Sequence, residues 1–218
     1  FTSEYRGIKA HYRVFVPVDR PIEFWEVELT NNSDQVRNLS LFAYAEWCFW
    51  HMDQDLSNFQ YILYTCRLGY EQGIIDYSIR LWPNRTPQGF MASILPVESF
   101  DTDRDEFIGL YHHEGNPLAV ERGQCANSIA IGGNPCGAIQ NRLTLAPGEK
   151  QYALYIVGIG AAGTEGVECK KTYSDRRQVE AEFAKLQAYW SQRTTKLTCH
   201  TPSAELNSMV NIWNQYQC

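Results

Sequence analysis

Residues 25–47, WEVELTNNSDQVRNLSLFAYAEW, contain the pattern that decides the fold. In residues 25–30 and again in 38–47 every second side chain is apolar, from Trp25 through to Trp47. This spacing predicts β-strands, because successive side chains of a strand point to opposite faces of a sheet. Asn31-Asn32-Ser33-Asp34 lies between the two runs and indicates a turn, since these side chains hydrogen-bond to nearby backbone. The stretch therefore predicts strand, turn and strand, each strand with one face on a core and the other towards solvent or a second layer.

The same alternation extends in both directions along the chain. Residues 9–16 have it before the turn, and strand-like runs follow at residues 59–68, 74–81, 89–94, 139–145 and 151–157. The segment 146–150, APGEK, is typical of a hairpin-type connection between the last two runs. Many short strands with turns and no intervening helices predict antiparallel sheets, and a β-sandwich is the architecture that they favour.

Length and composition exclude several classes of protein. A chain of 218 residues can bury about 70% of the surface that its unfolded form exposes, so its fold requires no disulfide or metal. The formal charge of −6 argues against nucleic acid or an anionic membrane as a partner, because both select basic patches. Hydrophobic residues make up 44% of the chain, too many for a disordered protein, and no apolar run approaches the roughly 20 residues of a membrane span.

The termini and the cysteines indicate a piece of a larger cytoplasmic protein. The sequence begins at Phe1 without a leader and stops at Cys218 within an apolar helical pattern, so we expect a fragment of a longer polypeptide. The seven cysteines are odd in number and form no C-x-x-C pair. This pattern is typical of scattered reduced thiols rather than of a zinc site or a disulfide framework.

The periodicity changes after about residue 160. Four glycines in residues 158–166 predict a flexible link, and a helical pattern runs from Ser174 to about Leu197. A second helix is predicted from Thr201, which can cap its free N–H groups, with Pro202 at the first helical position. We therefore divide the chain into a sandwich (residues 1–160), a helical linker (161–200) and the start of a further helical region (201–218).

Two motifs have a possible functional interpretation that their context disfavours. Residues 158–163, GIGAAG, match a dinucleotide-binding turn, but no helix pattern opens within the motif and the surrounding strands are antiparallel, which favours a linker. Asp101, Asp103 and Asp105 alternate as in a calcium loop, yet Glu106 stands where an EF-hand requires glycine. A polar loop in which Arg104 pairs with a carboxylate is the simpler interpretation, and contacts to sugar hydroxyls remain an alternative.

The densest group of polar and aromatic residues begins at Trp47 and extends to Gln60. Aromatic faces stack on the C–H faces of sugars, while Asp, Asn and Gln hydrogen-bond to hydroxyl groups. The alternative is that Trp47 is a core residue followed by a hydrated loop. No nucleophile-and-base motif, metalloprotease motif or phosphate-binding loop is present in the sequence.

Several segments in order resemble the N-terminal domain of the cellobiose and cellodextrin phosphorylases of glycoside hydrolase family 94, formerly grouped with the glycosyltransferases. The resemblance covers nearly the whole chain. The segments that carry it include residues 6–18, 25–33, 39–46, 58–60, 100–104, 116–123, 127–130 and 206–218.

This resemblance implies a β-supersandwich, a helical linker and the first helix of an (α/α)6 barrel that is otherwise missing. It implies an inverting phosphorylase that converts a β-linked glucose oligosaccharide and inorganic phosphate into α-glucose 1-phosphate and a shortened sugar. No cofactor is expected, because phosphate is the co-substrate. The family's catalytic acid is an Asp in the barrel, so no catalytic residue is assigned here and residues 1–218 alone are expected to be inactive.

The resemblance also implies a cytoplasmic homodimer, in which this domain helps to wall the partner's active site. The substrate-binding candidates are Asn58, Gln60 and Tyr61. The cellobiose enzymes typically have Arg where this chain has Tyr61, and Arg offers a rigid fork of donors whereas Tyr offers a ring and one hydroxyl. A different acceptor subsite is therefore expected, and relatives acting on cellobionic acid or laminaribiose stay open.

Two other classes of function are compatible with the residues. One is a carbohydrate-binding module without chemistry of its own, and the other is a structural dimerisation domain. The apolar stripe after Thr201 favours the phosphorylase, because an independent binding module is not expected to end within an amphipathic helix.

Overall fold

The structure, a computed structural model, describes residues 1–47, 49, 66–80, 85–196 and 198–214. Its strands are β1 (Thr2–Tyr5), β2 (Ile8–Phe15), β3 (Ile22–Asn31), β4 (Arg37–Ala45), β5 (Cys66–Glu71), β6 (Ile74–Ile79), β7 (Gln88–Ser93), β8 (Ser99–Asp103), β9 (Pro135–Leu145) and β10 (Lys150–Ile159). Its helices are α1 (Arg104–Ile108), α2 (Leu118–Arg122), α3 (Val167–Tyr173), α4 (Arg176–Thr194) and α5 (Ala204–Ser208), with π-helical turns at Ala162–Gly166 and Met209–Trp213.

The strands form two antiparallel sheets that pack face to face. Sheet A has the order β1-β2-β3-β10-β7-β6-β5, and sheet B has the order β4-β9-β8. Between them, Ile75, Met91 and Tyr155 of sheet A pack on Ala43 and Ile139 of sheet B. The predicted mainly β fold is confirmed, and the alternation in residues 25–47 places the expected apolar side chains in this inner layer.

The outer faces of both sheets are covered by helices. On sheet A, Phe15, Phe24 and Leu154 pack against Tyr173 of α3 and Val179 of α4. On sheet B, the short helices α1 and α2 cover Cys136 and Ala138. The prediction that no helix interrupts the strands is therefore wrong for α1 and α2, which are too short to show a helical period in the sequence.

The link between β9 and β10 also differs from the prediction. The two strands belong to different sheets, β9 pairing with β4 and β8 and β10 with β3 and β7. Residues 146–149 therefore turn a corner between sheets, where a hairpin was expected. The local sequence specifies a tight turn, but only long-range packing decides which sheet the next strand joins.

The side-chain amide of Asn31 connects this corner to the crossover between β3 and β4. Asn31 ends β3 in sheet A, and its buried side chain donates to the carbonyl oxygens of Gln35, Leu145 and Ala146. Its Oδ1 accepts from the N–H and the hydroxyl of Ser33. One side chain thus ties the β3–β4 crossover to the β9–β10 crossover.

After residue 160 the structure differs from the prediction at three places. Residues 162–166 form a packed π-helical turn with Gly166 buried, where a flexible link was expected. Helix α4 is capped by Asp175 rather than Ser174 and follows α3, which was not predicted. Helix α5 is capped by the hydroxyl of Ser203, two residues after Thr201. Among the described residues, no helix combines the length and hydropathy needed to cross a bilayer.

We predict that Asn31→Ala lowers the free energy of unfolding by about 2–4 kcal/mol, because it strips buried carbonyl groups of their donor. Asn31→Asp should cost more, since a carboxylate then faces three carbonyl oxygens. Urea denaturation of the intact protein measures both. Asn32→Ala, at the exposed neighbouring position, is the control and should change stability by less than about 0.5 kcal/mol. Equal effects at the two positions would contradict the assignment.

Candidate functional site

The three substrate-binding residues predicted from sequence, Asn58, Gln60 and Tyr61, lie outside the described residues. The structure shows the chain on both sides of them, where β4 ends at Ala45 and β5 begins at Cys66. These flanking residues show which of the neighbouring polar and aromatic side chains are free for a ligand and which are occupied by the fold.

The aromatic residues after β4 are part of the core. The ring of Trp47 stacks on Tyr77 with centroids 4.9 Å apart, and Phe49 stacks on the same ring at 5.4 Å. Gly137 makes room for Trp47, because a Cβ there would lie 2.5 Å from its Cη2 atom. A Cβ at Gly89 would likewise lie 2.8 Å from Phe49. Trp47 is therefore a core residue and not an open platform for a sugar.

The polar residues next to this aromatic stack form a network centred on Arg104. Its Nε donates to Glu46 at 3.0 Å, and its Nη2 donates to Glu114. The hydroxyl of Tyr44 also donates to Glu46, and burial, followed by this carboxylate, raises the pKa of Tyr44. The predicted pairing of Arg104 with a carboxylate is confirmed, but the predicted polar loop is wrong, because these residues end β8 and form α1. The pairing joins the end of β4 to the loop that carries Glu114.

The alternating aspartates have structural roles. Asp101 is fully buried and accepts from the backbone N–H groups of Ala126 and Ser128 and from the Ser128 hydroxyl. Asp103 caps α1 by accepting from the N–H of Asp105. No group of three or more His, Cys, Asp or Glu side chains arranged to hold a metal ion occurs in the part of the chain that the structure describes. Asp101 is therefore not available to sugar hydroxyls, and Asp103 serves as the cap of α1.

The glycine motif of residues 158–163 ends β10 and opens the π-helical turn. Glu165 closes this turn, since its carboxylate accepts from the N–H of Ala161 at 2.9 Å. An anion bound at a dinucleotide turn would meet the same N–H groups, so an acidic side chain there disfavours that interpretation. The geometry therefore disfavours a dinucleotide site, and the turn is packed where a flexible link was expected.

A cavity lies on the outer face of sheet A, between the β5–β6 hairpin and the π-helical turn. Its volume is about 540 Å³, and Asp76 lies on its floor. Sequence analysis missed Asp76, because a single polar residue in an apolar strand carries no motif. The only signal was its position, on the strand face opposite Ile75 and Tyr77, where apolar Ile74 is its neighbour.

Comparison with known proteins places the chain in a family. The sequence model "Glycosyl hydrolase 94, supersandwich domain" matches residues 1–176. The chain belongs to glycoside hydrolase family 94. The resemblance found in the sequence is thereby confirmed, and so is the supersandwich fold.

Family 94 relatives match almost the whole chain. An N,N'-diacetylchitobiose phosphorylase from Vibrio proteolyticus is 38% identical over 219 residues, which is 100% of this chain and 27% of the relative. A second one, from Vibrio furnissii, is 36% identical with the same coverage. A solabiose phosphorylase from Paenibacillus borealis is 28% identical over 98% of this chain and 28% of its own length. The chain thus spans about a quarter of these relatives.

We predict that Gly137→Ala destabilises this family 94 domain by about 1–3 kcal/mol, because the added methyl group overlaps the Trp47 ring and forces it to shift. Thermal unfolding of the intact protein, read by tryptophan fluorescence, measures the loss. Gly163→Ala is the matched control, since a Cβ there meets no heavy atom within 4 Å. Equal stability of the two variants would show that Trp47 does not pack as described.

Proposed function

We propose that the full protein is an inverting disaccharide phosphorylase, of which residues 1–218 are the N-terminal part. The match of the family 94 supersandwich domain to residues 1–176 is the observation that carries this proposal. The phosphorylase relatives, identical at 28–38% of positions over nearly the whole chain, support it.

The chemistry of the proposed reaction needs one carboxylic acid and one phosphate. The acid protonates the oxygen of the leaving sugar, while phosphate attacks the anomeric carbon from the opposite face and inverts it. Phosphate supplies the nucleophile, so a second catalytic carboxylate is not required. The products are an α-sugar 1-phosphate and a sugar shortened by one unit.

The buried carboxylates of this domain are consistent with a supporting role. Asp101 is committed to backbone N–H groups, and Glu26 pairs with Arg13 and accepts from the hydroxyl of Tyr152. A carboxylic acid that must give up its proton needs a free approach to the substrate. As the family resemblance implies, we propose that the catalytic acid lies beyond residue 218, and we expect residues 1–218 in isolation to be inactive.

We propose a β-linked disaccharide as the substrate. N,N'-diacetylchitobiose is the first candidate, because the two Vibrio relatives are N,N'-diacetylchitobiose phosphorylases. Cellobiose and cellodextrins, which the sequence motifs suggested, come second, followed by laminaribiose and cellobionic acid. We further propose a cytoplasmic homodimer that needs no cofactor, with Asn58, Gln60 and Tyr61 on the acceptor side of the substrate.

The first test is phosphate-dependent release of a sugar 1-phosphate by the full-length protein. The panel is N,N'-diacetylchitobiose, cellobiose, cellotriose, laminaribiose and cellobionic acid, each with and without phosphate. We expect release from one substrate only when phosphate is present. Hydrolysis that is independent of phosphate, or sugar binding without any turnover, would contradict the proposal and favour a hydrolase or a carbohydrate-binding module.

The second test addresses Tyr61. Because Arg presents several donors where Tyr presents one hydroxyl, Tyr61→Arg in the full-length enzyme should change KM for the acceptor in the synthetic direction. The expected effect is several-fold on KM, with kcat for the preferred acceptor changed less. Tyr5→Arg, at an exposed position on edge strand β1, is the control. Unchanged acceptor preference in Tyr61→Arg would remove Tyr61 from the subsite.

A further inference from the structure

The cavity above Asp76 has the features of a preformed binding site. Its volume of about 540 Å³ falls within the roughly 300–1,000 Å³ that is usual for small-molecule pockets. One wall is the β5–β6 hairpin and the other is the π-helical turn Ala162–Gly166 with the start of α3. The lining residues are Gly69, Tyr70, Glu71, Gln72, Ile74, Asp76, Ala162, Gly163 and Val167.

Glycines keep this cavity open. Gly69 of β5 lies directly opposite Asp76 of β6 in the sheet, and it has no side chain to cover the carboxylate. A Cβ built at Gly69 would be 3.9 Å from the Cβ of Asp76, which is ordinary contact, so a larger residue would fit there and fill the space. Gly163 on the opposite wall has no neighbour within 4 Å of its own Cβ position.

The walls are held by hydrogen bonds. The hairpin tip has left-handed backbone at Gln72 and Gly73, and the Lys170 ammonium of α3 donates to the carbonyl of Gln72 at 2.6 Å. On the other side, Gly166 packs against the ring of Phe90, where a Cβ would lie 3.2 Å from Cγ. The cavity therefore does not depend on a ligand to form, which lowers the entropic cost of binding one.

Asp76 is the unusual group in this cavity. Its Oδ1 is buried and, among the described residues, has no hydrogen-bond partner. Burial raises the pKa of Asp76, and the backbone N–H of Ala162 offsets only part of this effect. Asp101 and Glu26, the buried carboxylates among the described residues, have several donors each. One oxygen of Asp76 thus lacks a donor, which costs stability, and such an atom is expected where a ligand supplies the donor.

The lining selects a neutral polyol over a cation. Metal ions require several oxygen or nitrogen ligands, and no suitable group of His, Cys, Asp and Glu is found in the described part of the chain. The Lys170 ammonium at the hairpin tip disfavours a second cation nearby. Ile74, Ala162 and Val167 offer apolar surface to the C–H faces of a sugar ring, while Asp76 and Glu71 offer acceptors to its hydroxyl groups.

We propose that this cavity binds one sugar unit of a saccharide, with Asp76 accepting hydrogen bonds from its hydroxyl groups. The choice of a saccharide as the ligand rests on the proposed function, whereas the existence of the site rests on the cavity and on Asp76. The fold gives this carboxylate one donor, the backbone N–H of Ala162, so a neutral side chain that keeps an acceptor should spare stability.

The experiment is hydrogen–deuterium exchange of the full-length protein with and without glucose or N-acetylglucosamine at millimolar concentration. Sugar should protect amides in residues 66–79 and 162–170 of the wild type. Asp76→Ala, which removes the acceptor, and Gly69→Val, which fills the cavity from the neighbouring strand, should each weaken the apparent affinity by about tenfold or more. Asp34→Asn, an exposed carboxylate in the β3–β4 turn, is the control and should behave as wild type.

Stability provides a second readout. Asp76→Asn should leave the unfolding temperature unchanged or raise it, because Asn removes the partly buried charge and keeps an oxygen acceptor for the N–H of Ala162. A clear loss of stability in Asp76→Asn would show a structural role and overturn the proposal. Protection of the same amides by calcium or ammonium but not by sugars would also overturn it, in favour of a cation site.

The two proposals fail separately in this design. Phosphorolysis by the wild type without sugar protection of residues 66–79 and 162–170 overturns the sugar site and leaves the phosphorylase. Sugar protection that is lost in Asp76→Ala and Gly69→Val, in a protein without phosphorolysis, supports the site and contradicts the enzyme. Protection that persists in both variants shows that the sugar binds elsewhere and overturns the site.

Discussion

The hydrogen bonds of the Asn31 amide are the constraint on which the rest of the sandwich depends. The chain passes from sheet A to sheet B after β3 and from sheet B back to sheet A before β10, and these two crossovers meet at this side chain. Because β3 pairs with β10 in one sheet and β4 pairs with β9 in the other, the position of this corner sets the register of both central strand pairs. A buried amide suits this task, since it satisfies carbonyl groups on one side and an N–H and a hydroxyl on the other.

A second set of polar contacts fastens the helical layer to sheet A. Arg13 of β2 pairs with the buried Glu26 of β3 and donates to Glu180 of α4 at 2.7 Å. Its guanidinium also lies over the ring of Phe183, 4.3 Å from the centroid. A buried pair of this kind adds little net stability, because desolvation offsets the attraction, but it fixes where α4 lies. The apolar contacts of α3 and α4 with Phe15, Phe24 and Leu154 then supply the stabilisation.

The carboxylates of the domain divide into two groups by their surroundings. Asp101 and Glu26 each accept from several donors and Asp103 caps α1, whereas Asp76 lines a cavity and its Oδ1 has no partner among the described residues. Amino-acid type alone therefore says little about which acid is functional. The chain spans about a quarter of its relatives' length. Within it, the hydrogen-bond partners of each carboxylate distinguish the acids that stabilise the fold from an acid that could bind a ligand.

The sequence by itself determined the class of fold, the inner face of most strands and the family, because period-two alternation and local motifs depend on near neighbours. It predicted that Arg104 pairs with a carboxylate, and it left Trp47 undecided between core and sugar contact. Only the tertiary structure decided that Trp47 is core, that β9 and β10 belong to different sheets and that Asp101 is buried against residues 126–128. The physical reason is distance along the chain. The alternation of a strand specifies which of its faces is buried, but it does not specify which residues cover that face. The partners of Trp47, Asp101 and Asp76 lie 25 to about 90 residues away. The cavity above Asp76 likewise brings Gly69 together with Gly163, which are far apart in the chain, and no local pattern records this.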